Sequence, residues 1–173
     1  MRKKEMVFKG KLINVYRGMK TLPDKRQAYM EEVSHPGAAL MVPIKDGKMV
    51  FIRQYRAVVG EYVWELPAGI FSSGEKPIDC ARRELEEETG YSSGRVVKLG
   101  VIYTSPGFCD EKVHIFKTLC GKKGRVKRDE NEIMTVRLFT FSAIKRMIKT
   151  GKITDSKTIS ALTLAGVLHT WSI

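Results

Sequence analysis

The stretch that decides the fold of this chain is Gly69–Tyr91, which reads GIFSSGEKPIDCARRELEEETGY. Three apolar residues in it follow helical spacing and form one stripe: Ile78, Ala81 and Leu85. Pro77 suits the first turn of a helix, and Gly90 suits the position just after the last turn. The spacing therefore predicts a helix over residues 78–89.

Carboxylates crowd onto one side of this predicted helix. Glu84 and Glu88 are four residues apart and project from the same side, with Glu87 on the adjoining row. Like charges at this spacing repel, so the helix needs neighbouring cations or a bound metal ion. Hard oxygen ligands at this density suit Mg²⁺ or Mn²⁺ better than zinc. From the charges alone, the alternative is a solvated acidic helix face, and Arg83 and Glu75 form a predicted pair between helix and loop.

The overall charge points in the opposite direction from this acidic segment. The 173 residues suit one domain, and 31 Lys and Arg against 19 Asp and Glu give a net charge of +12. Such a balance favours a polyanionic partner: nucleic acid, a phosphorylated metabolite or a membrane surface. No apolar run approaches the roughly 20 residues of a membrane span, and the basic start lacks the apolar region of a secretory signal. Three unpaired cysteines predict reduced thiols in a cytoplasmic protein: Cys80, Cys109 and Cys120.

Apolar patterns and turn residues predict a mixed sheet with helices packed on it, an α/β (α+β) fold class. Strands are predicted at residues 7–17, 26–34, 38–44, 49–55, 62–66, 96–103, 113–119 and 134–141. Two further helices are predicted at residues 142–150 and 155–171. Turns are predicted at Leu22-Pro23-Asp24 and at Asp46-Gly47. The chain is divided into an N-terminal β extension, residues 1–34, and a domain of residues 35–173.

The full spacing of the acidic stretch resembles the Nudix box, the signature of the Nudix hydrolases. Its nine fixed positions are all satisfied here: Gly69, Glu75, Arg83, Glu84, Leu85, Glu87, Glu88, Gly90 and Tyr91. The resemblance implies the Nudix fold, an α/β/α sandwich around a mixed β-sheet. It also implies metal-dependent hydrolysis of a nucleoside diphosphate linked to another moiety, in which Mg²⁺ or Mn²⁺ neutralises the phosphate charge.

The chain is also similar to the ADP-ribose pyrophosphatase branch of that family, over about residues 8–168. The similar stretches are HPGAA at 35–39, RQYR at 53–56, WELPAG at 64–69 and SPGFCDE at 105–111. The branch carries a proline about sixteen residues beyond the glycine of the box, and Pro106 stands at that place. This resemblance implies a nucleotide-sugar substrate, cleaved to AMP and a sugar phosphate. It also implies a homodimer that swaps strands within residues 7–34.

Residue roles follow from the resemblance, position by position. The implied metal ligands are Glu84, Glu88, Glu132 and the backbone carbonyl of Ala68. The other box residues support the site: Gly69, Glu75, Arg83, Glu87 and Gly90. Glu130 is implied as the general base, because it matches the first glutamate of an acidic loop in the branch. The alternative for residues 129–132 is an ordinary charged turn.

Substrate contacts are implied in the same way. Arg56 matches a phosphate-binding arginine, and planar bidentate donors suit phosphate oxygens. A loop that meets the terminal ribose is matched by Ser105, Gly107 and Glu111. Phe8 stands where the branch places an aromatic ring against adenine, the alternative being an ordinary apolar residue of the first strand. The branch often has an arginine where this chain has Met30.

Two other functions compete with hydrolysis of an ADP-sugar. One is a Nudix hydrolase of another nucleoside diphosphate sugar, such as GDP-mannose, or of RNA 5′ ends. The basic run at residues 122–128 lacks the aromatic residues of RNA-binding modules, which argues against nucleic acid. The other is a binding module that has lost the chemistry, and the intact acidic residues of the box argue against it.

Overall fold

The computed structural model describes residues 4–126 and 133–168 of the chain. These residues form ten strands and three helices. The strands are β1 (Glu5–Lys9), β2 (Asn14–Thr21), β3 (Gln27–Ser34), β4 (Ala38–Lys45), β5 (Lys48–Arg56), β6 (Glu61–Glu65), β7 (Ala68–Ile70), β8 (Tyr91–Tyr103), β9 (Lys112–Lys123) and β10 (Met134–Phe139). The helices are α1 (Pro77–Thr89), α2 (Phe141–Lys149) and α3 (Ser156–Leu164). The chain forms two compact units, the first comprising the residues up to Gly37 together with Tyr103–Lys112.

The first unit contains an antiparallel sheet in the order β1-β2-β3. The prediction of one strand over residues 7–17 was wrong, because the chain turns after β1 and the Gly10 amide donates to the Ile13 carbonyl oxygen (2.9 Å). A Cβ at position 10 would lie 2.8 Å from that carbonyl oxygen, so this turn is closed by a residue without a side chain. The predicted turn between β2 and β3 is confirmed, since the Lys25 amide donates to the Leu22 carbonyl oxygen (2.9 Å).

The second unit is built on a seven-stranded sheet. Its main path runs β10-β5-β4-β9-β8, with β6 beside β5 and β7 beside β4. β4 and β9 are parallel, whereas β4 is antiparallel to β5 and β7, so the sheet is mixed as the sequence predicts. The predicted hairpin between β4 and β5 is also confirmed: Asp46 and Gly47 have φ values of 49° and 72°, and positive φ at both positions is typical of a type I′ turn.

Alternate residues of β4 face two different hydrophobic cores. Leu40 belongs to a fully buried cluster with Ile144 of α2 and Leu162 of α3. Met41, the next residue, belongs to a second cluster with Leu85 of α1. Because successive side chains of a strand point to opposite faces, the sheet lies between α1 on one side and α2 with α3 on the other. This is the α/β/α sandwich that the resemblance to the Nudix box implies.

The helix ends follow local capping signals. α1 begins one residue before the predicted start, and Gly90 ends it in the left-handed conformation at φ 78°. The side chain of Asp155 caps α3 by accepting a hydrogen bond from the Thr158 amide (2.9 Å). α3 stops at Leu164, short of the predicted end, where the chain turns. In the described part of the chain, no helix has both the length and the apolar character that crossing a membrane requires.

Candidate active site

Two carboxylates of α1 lie against the backbone of the short strand β7. Glu88 is only 4% exposed, and its carboxylate accepts a hydrogen bond from the Ala68 amide (3.1 Å). The backbone at Gly69 approaches Glu84 so closely that a Cβ there would overlap the Glu84 carboxyl group. The helix and the strand therefore hold both carboxylates beside one peptide segment, and the glycine makes this approach possible.

A single guanidinium group, that of Arg83, joins the loop, the strand and the helix. It donates from Nε (2.8 Å) and Nη2 (3.0 Å) to the two carboxylate oxygens of Glu75, in the loop before α1. Nη1 donates to Glu84 (2.5 Å) and to Glu87 (2.9 Å), and Nη2 also donates to the Ile70 carbonyl oxygen (3.1 Å). Three box carboxylates thus share one cation.

The charges at this site leave a negative surplus. The hydrogen bonds from Arg83 lower the pKa of Glu75 to about 2, and those same bonds raise the pKa of Arg83. Arg83 carries one positive charge against the three carboxylates that it contacts, and Glu88 adds a fourth carboxylate on the same helix. Carboxylate oxygens in surplus are the hard ligands that divalent cations prefer, so the donor set fits such an ion.

Cys80 lies on the same helix, and its thiol supports the strand. The Sγ atom is buried and lies 3.5 Å from the carbonyl oxygens of Gly69 and Ile70. Burial raises the pKa of this thiol to about 12, so it stays protonated and donates to these carbonyls. A protonated, buried thiol has no nucleophilic role, and Cys80, Cys109 and Cys120 are all free cysteines.

The loop SPGFCDE, residues 105–111, lies in the first unit and contains a turn. The Phe108 amide donates to the Ser105 carbonyl oxygen (3.1 Å), with Gly107 inside the turn. At the other end of the loop, Glu111 accepts a hydrogen bond from the hydroxyl of Thr104 (2.9 Å). Ser105, Gly107 and Glu111, all predicted to contact substrate, therefore belong to one ordered loop.

Asp110 fastens this loop to the end of β3, a role that the sequence did not reveal. Its carboxylate accepts hydrogen bonds from the His35 amide (2.7 Å) and from the Ser34 hydroxyl (3.1 Å). The Val33 amide also donates to the Phe108 carbonyl oxygen (2.7 Å). Asp110 and His35 are separated by 75 positions, so no local spacing in the sequence links them.

The two remaining predicted contacts lie in different units. Phe8 is on β1 in the first unit, where its side chain is 54% exposed. Arg56 ends β5 in the second unit and donates through Nε and Nη2 to both oxygens of Glu65 (2.6 Å each). Glu65 is absent from the predicted site residues, although a charged residue between Trp64 and Leu66 in a predicted strand is a signal for a buried ion pair.

Glu130 and Glu132, the predicted base and the further metal ligand, lie outside the described residues. Within residues 4–126 and 133–168, no three His, Cys, Asp or Glu side chains come together as a metal-binding group. Mg²⁺ usually keeps several waters and binds through one or two carboxylates and substrate phosphates, so the two carboxylates of Glu84 and Glu88 are compatible with such an ion.

Comparison with known proteins assigns the chain to a family. A model of the NUDIX domain matches residues 34–162. The chain belongs to the Nudix hydrolase family. Members of this family use divalent metal ions, and the oxygen donors of Glu84 and Glu88 suit them.

Relatives of this Nudix chain align with it over most of their length. An ADP-ribose pyrophosphatase of Bacillus subtilis is 36% identical over 162 residues, which is 92% of this chain and 88% of the relative. A methanol dehydrogenase activator of Bacillus methanolicus is 36% identical over 163 residues, with the same coverage of 92% and 88%. A GDP-mannose pyrophosphatase of Shigella flexneri is 33% identical over 155 residues, which is 84% of this chain and 79% of the relative.

A solved structure shows the same fold. It is a crystal structure of an ADP compounds hydrolase with a TM-score of 0.83, 20% sequence identity, and coverage of 95% of this chain and 90% of that chain. The similarity confirms the Nudix fold that the sequence resemblance implies.

The approach of Gly69 to Glu84 makes a substitution there informative. The backbone at Gly69 has no positive φ, so Gly69→Ala is conformationally allowed, but the new methyl group must displace the Glu84 carboxylate, which Arg83 holds in place. We expect Gly69→Ala to remain folded while its affinity for Mn²⁺, measured by electron paramagnetic resonance, falls about 10–100-fold.

Gly124→Ala is the matched control, because a Cβ at position 124 makes only an ordinary contact of 3.8 Å with the Gly90 carbonyl oxygen. Its affinity for Mn²⁺ should equal that of the unmodified chain. Unchanged Mn²⁺ binding by Gly69→Ala would contradict the placement of Glu84 at the metal site.

The lowered pKa of Glu75 predicts a pH-dependent contribution to stability. The ordinary pKa is 4.5 and the folded value is about 2, so the ionised carboxylate stabilises the folded state above pH 4.5, and this stabilisation is lost as the pH falls towards 2. Glu75→Gln lacks it at every pH. The difference in free energy of unfolding between the two proteins should be on the order of 2 kcal/mol at neutral pH and shrink steadily below pH 4.5.

Urea unfolding at a series of pH values measures this difference. Glu86→Gln, which changes an exposed carboxylate on α1, should differ little from the unmodified chain at any pH. A Glu75→Gln difference that stays constant down to pH 3 would show that the ion pair with Arg83 does not cause it.

Proposed function

We propose that this chain hydrolyses the pyrophosphate bond of ADP-ribose, or of a related ADP-sugar, to AMP and a sugar phosphate. The observation that carries the proposal is the placement of the Glu84 and Glu88 carboxylates against the backbone of Ala68 and Gly69. The name of the Bacillus subtilis relative supports ADP-ribose as the substrate.

The proposed ligands for Mg²⁺ or Mn²⁺ are Glu84, Glu88, Glu132 and the carbonyl oxygen of Ala68. When bound, such ions neutralise the charge that develops on the phosphate oxygens and acidify water. Arg83 holds Glu84 in place through a charge-assisted hydrogen bond (2.5 Å), and the Ala68 amide holds Glu88 (3.1 Å). These bonds fix the oxygen ligands before substrate arrives, so little ordering is left for the binding step.

The proposed general base is Glu130. A carboxylate with an ordinary pKa can accept a proton from the attacking water at neutral pH when that water is already acidified. The support is the position of Glu130 in the acidic stretch Asp129-Glu130-Asn131-Glu132, which follows the basic run of residues 122–128.

Substrate recognition is proposed for three parts of the chain. Arg56 would bind a phosphate oxygen, and the fork with Glu65 supports this role because it fixes the plane of the guanidinium group. Ser105, Gly107 and Glu111 would contact the terminal ribose from their ordered loop. Phe8 would stack on adenine, which its exposed position on β1 permits.

A homodimer in the cytoplasm completes the proposal. Residues 1–34 are the proposed dimerisation segment, and several large apolar side chains of this segment are exposed: Met6, Val7, Phe8, Leu12, Met19 and Tyr29. Exposed apolar side chains that form a contiguous patch mark interfaces between proteins. The three free cysteines support a reducing compartment such as the cytoplasm.

A substrate panel tests the reaction. Purified protein with Mg²⁺, and separately with Mn²⁺, should release AMP from ADP-ribose faster than GMP from GDP-mannose, and chelation of the metal should abolish both. GDP-mannose is the alternative substrate because the Shigella flexneri relative is named for it. Rapid cleavage of GDP-mannose without AMP release from ADP-ribose would overturn the ADP-sugar assignment and favour this alternative.

A pair of substitutions tests the base. Glu130→Gln should lower kcat about 10²–10⁴-fold and leave KM nearly unchanged, since it removes proton transfer and keeps the side-chain shape. Asp129→Asn removes the same charge one residue away and should have a much smaller effect. If Asp129→Asn loses kcat and Glu130→Gln retains it, the base is not Glu130.

A further inference from the structure

A cleft of about 620 Å³ lies in the second unit between the turn after β5 and the start of α3. Its lining includes four charged side chains: Arg56, Glu65, Asp155 and Lys157. Two of them come from the strands β5 and β6, and two come from the residues that begin α3. Of these four, only Arg56 has so far been proposed to contact substrate.

These four side chains form one continuous charge cluster. Glu65, whose side chain is only 3% exposed, accepts hydrogen bonds on both oxygens from Arg56 (2.6 Å each). The Lys157 ammonium lies 3.8 Å from a Glu65 oxygen and donates to Asp155 (2.5 Å). Glu65 therefore lies beside two cations, Arg56 and Lys157, and Lys157 lies beside two carboxylates, Glu65 and Asp155.

Ion pairing shifts the pKa of two members of this cluster. The hydrogen bond to Glu65 raises the pKa of Arg56. Burial acts to raise the pKa of Asp155, but attraction to Lys157 and hydrogen bonds from Lys157 and Thr158 outweigh it, so this pKa is lowered. Two cations then balance two anions, which is the condition under which charges can be buried. The loss of any one charge leaves the cluster with an excess of the opposite sign.

The cations of the cluster are placed to receive an anion. The fork to Glu65 uses Nε and Nη2 of Arg56, so Nη1 takes no part in it, and Arg56 lines the cleft. Glu65 precedes Ala68 by three residues, and the Ala68 amide donates to the Glu88 carboxylate (3.1 Å). A short backbone segment thus connects the cleft to a candidate metal ligand, beside which the pyrophosphate of a substrate would lie.

We infer that Lys157 is a second cation beside Arg56 for a phosphate group of the substrate in this cleft, and that Asp155 limits the strength of binding by offsetting Lys157. The phosphate contact of Arg56 and the identity of the substrate rest on the proposed function, whereas the roles of Lys157 and Asp155 are tested with pyrophosphate alone. Arg56 supplies a planar donor for phosphate oxygens and Lys157 supplies a point charge, a combination that suits a polyanion.

Opposite charge changes in the same cluster separate this role from a structural one. Lys157→Met removes a cation and keeps the length of the side chain, so the cluster becomes negative and should repel phosphate. Asp155→Asn makes the cluster positive and should attract phosphate more strongly, while asparagine still caps α3. If the cluster had only a structural role, both substitutions would change the affinity for pyrophosphate in the same direction.

The experiment is a ³¹P nuclear magnetic resonance titration of each full-length variant with inorganic pyrophosphate at low salt in EDTA. We expect the Kd to rise about three- to tenfold for Lys157→Met and to fall by a similar factor for Asp155→Asn. Lys157→Arg keeps the positive charge and should bind pyrophosphate with the affinity of the unmodified chain. Two matched controls make the same charge changes elsewhere. They are Lys152→Met in the exposed loop before α3 and Asp46→Asn in the β4–β5 hairpin. Both should leave the Kd for pyrophosphate unchanged.

Several outcomes would overturn the inference. These are no binding of pyrophosphate by the unmodified chain, no shift in either variant, shifts of Lys157→Met and Asp155→Asn in the same direction, or equal shifts in the controls. The proposed function fails separately: opposite Kd shifts in a protein that does not cleave ADP-ribose support the phosphate site and reject the substrate. Cleavage of ADP-ribose without the shifts rejects the phosphate site alone.

Discussion

The candidate active site depends on the guanidinium group of Arg83. Its planar fork reaches Glu75, Glu84 and Glu87 as well as the Ile70 carbonyl oxygen, so one side chain ties the loop, the helix and the strand together. A lysine has a single point of charge on a flexible stem and could not make these contacts at once. The acidic residues of α1 can therefore stand side by side without pushing the helix away from β7.

The sheet sets where this assembly lies. β4 is buried on both faces, and its alternating side chains hold α1 on one side and α2 with α3 on the other. β7 pairs with β4, which places the Ala68–Gly69 backbone beneath α1. The same sheet carries Arg56 at the end of β5 and Glu65 at the end of β6, opposite the start of α3. The same sheet thus carries both groups of charged side chains, the one around Arg83 and the one around Glu65.

The local charge around Arg83 and around Glu65 differs from the net charge of the whole chain. The chain carries a net charge of +12, yet residues 75–88 hold six acids against three bases, and the cluster around Glu65 is neutral. A positive surface raises the local concentration of small polyanions and speeds their approach. The local carboxylates suit the divalent cations that Nudix hydrolases use, and such ions neutralise the charge of a pyrophosphate.

The sequence by itself determined the features that depend on near neighbours. The helix from Pro77 to Thr89, its glycine end and its row of acids follow from spacings of three and four residues and from a left-handed cap. The hairpin at Asp46-Gly47 follows from a pair of residues that tolerate positive φ. The turn after β1 was missed because Gly10 and Ile13 carry no strong turn signal between apolar residues.

Only the tertiary structure decided the long-range contacts. It joined Asp110 to His35 across 75 positions, and it placed Lys157 beside Glu65 although they lie on different elements. Such contacts have no periodicity in the sequence, because the order of strands in the sheet chooses the partners. A buried carboxylate such as Glu65 requires such a contact, because a charge inside the protein is tolerated only when the fold brings a cation to it.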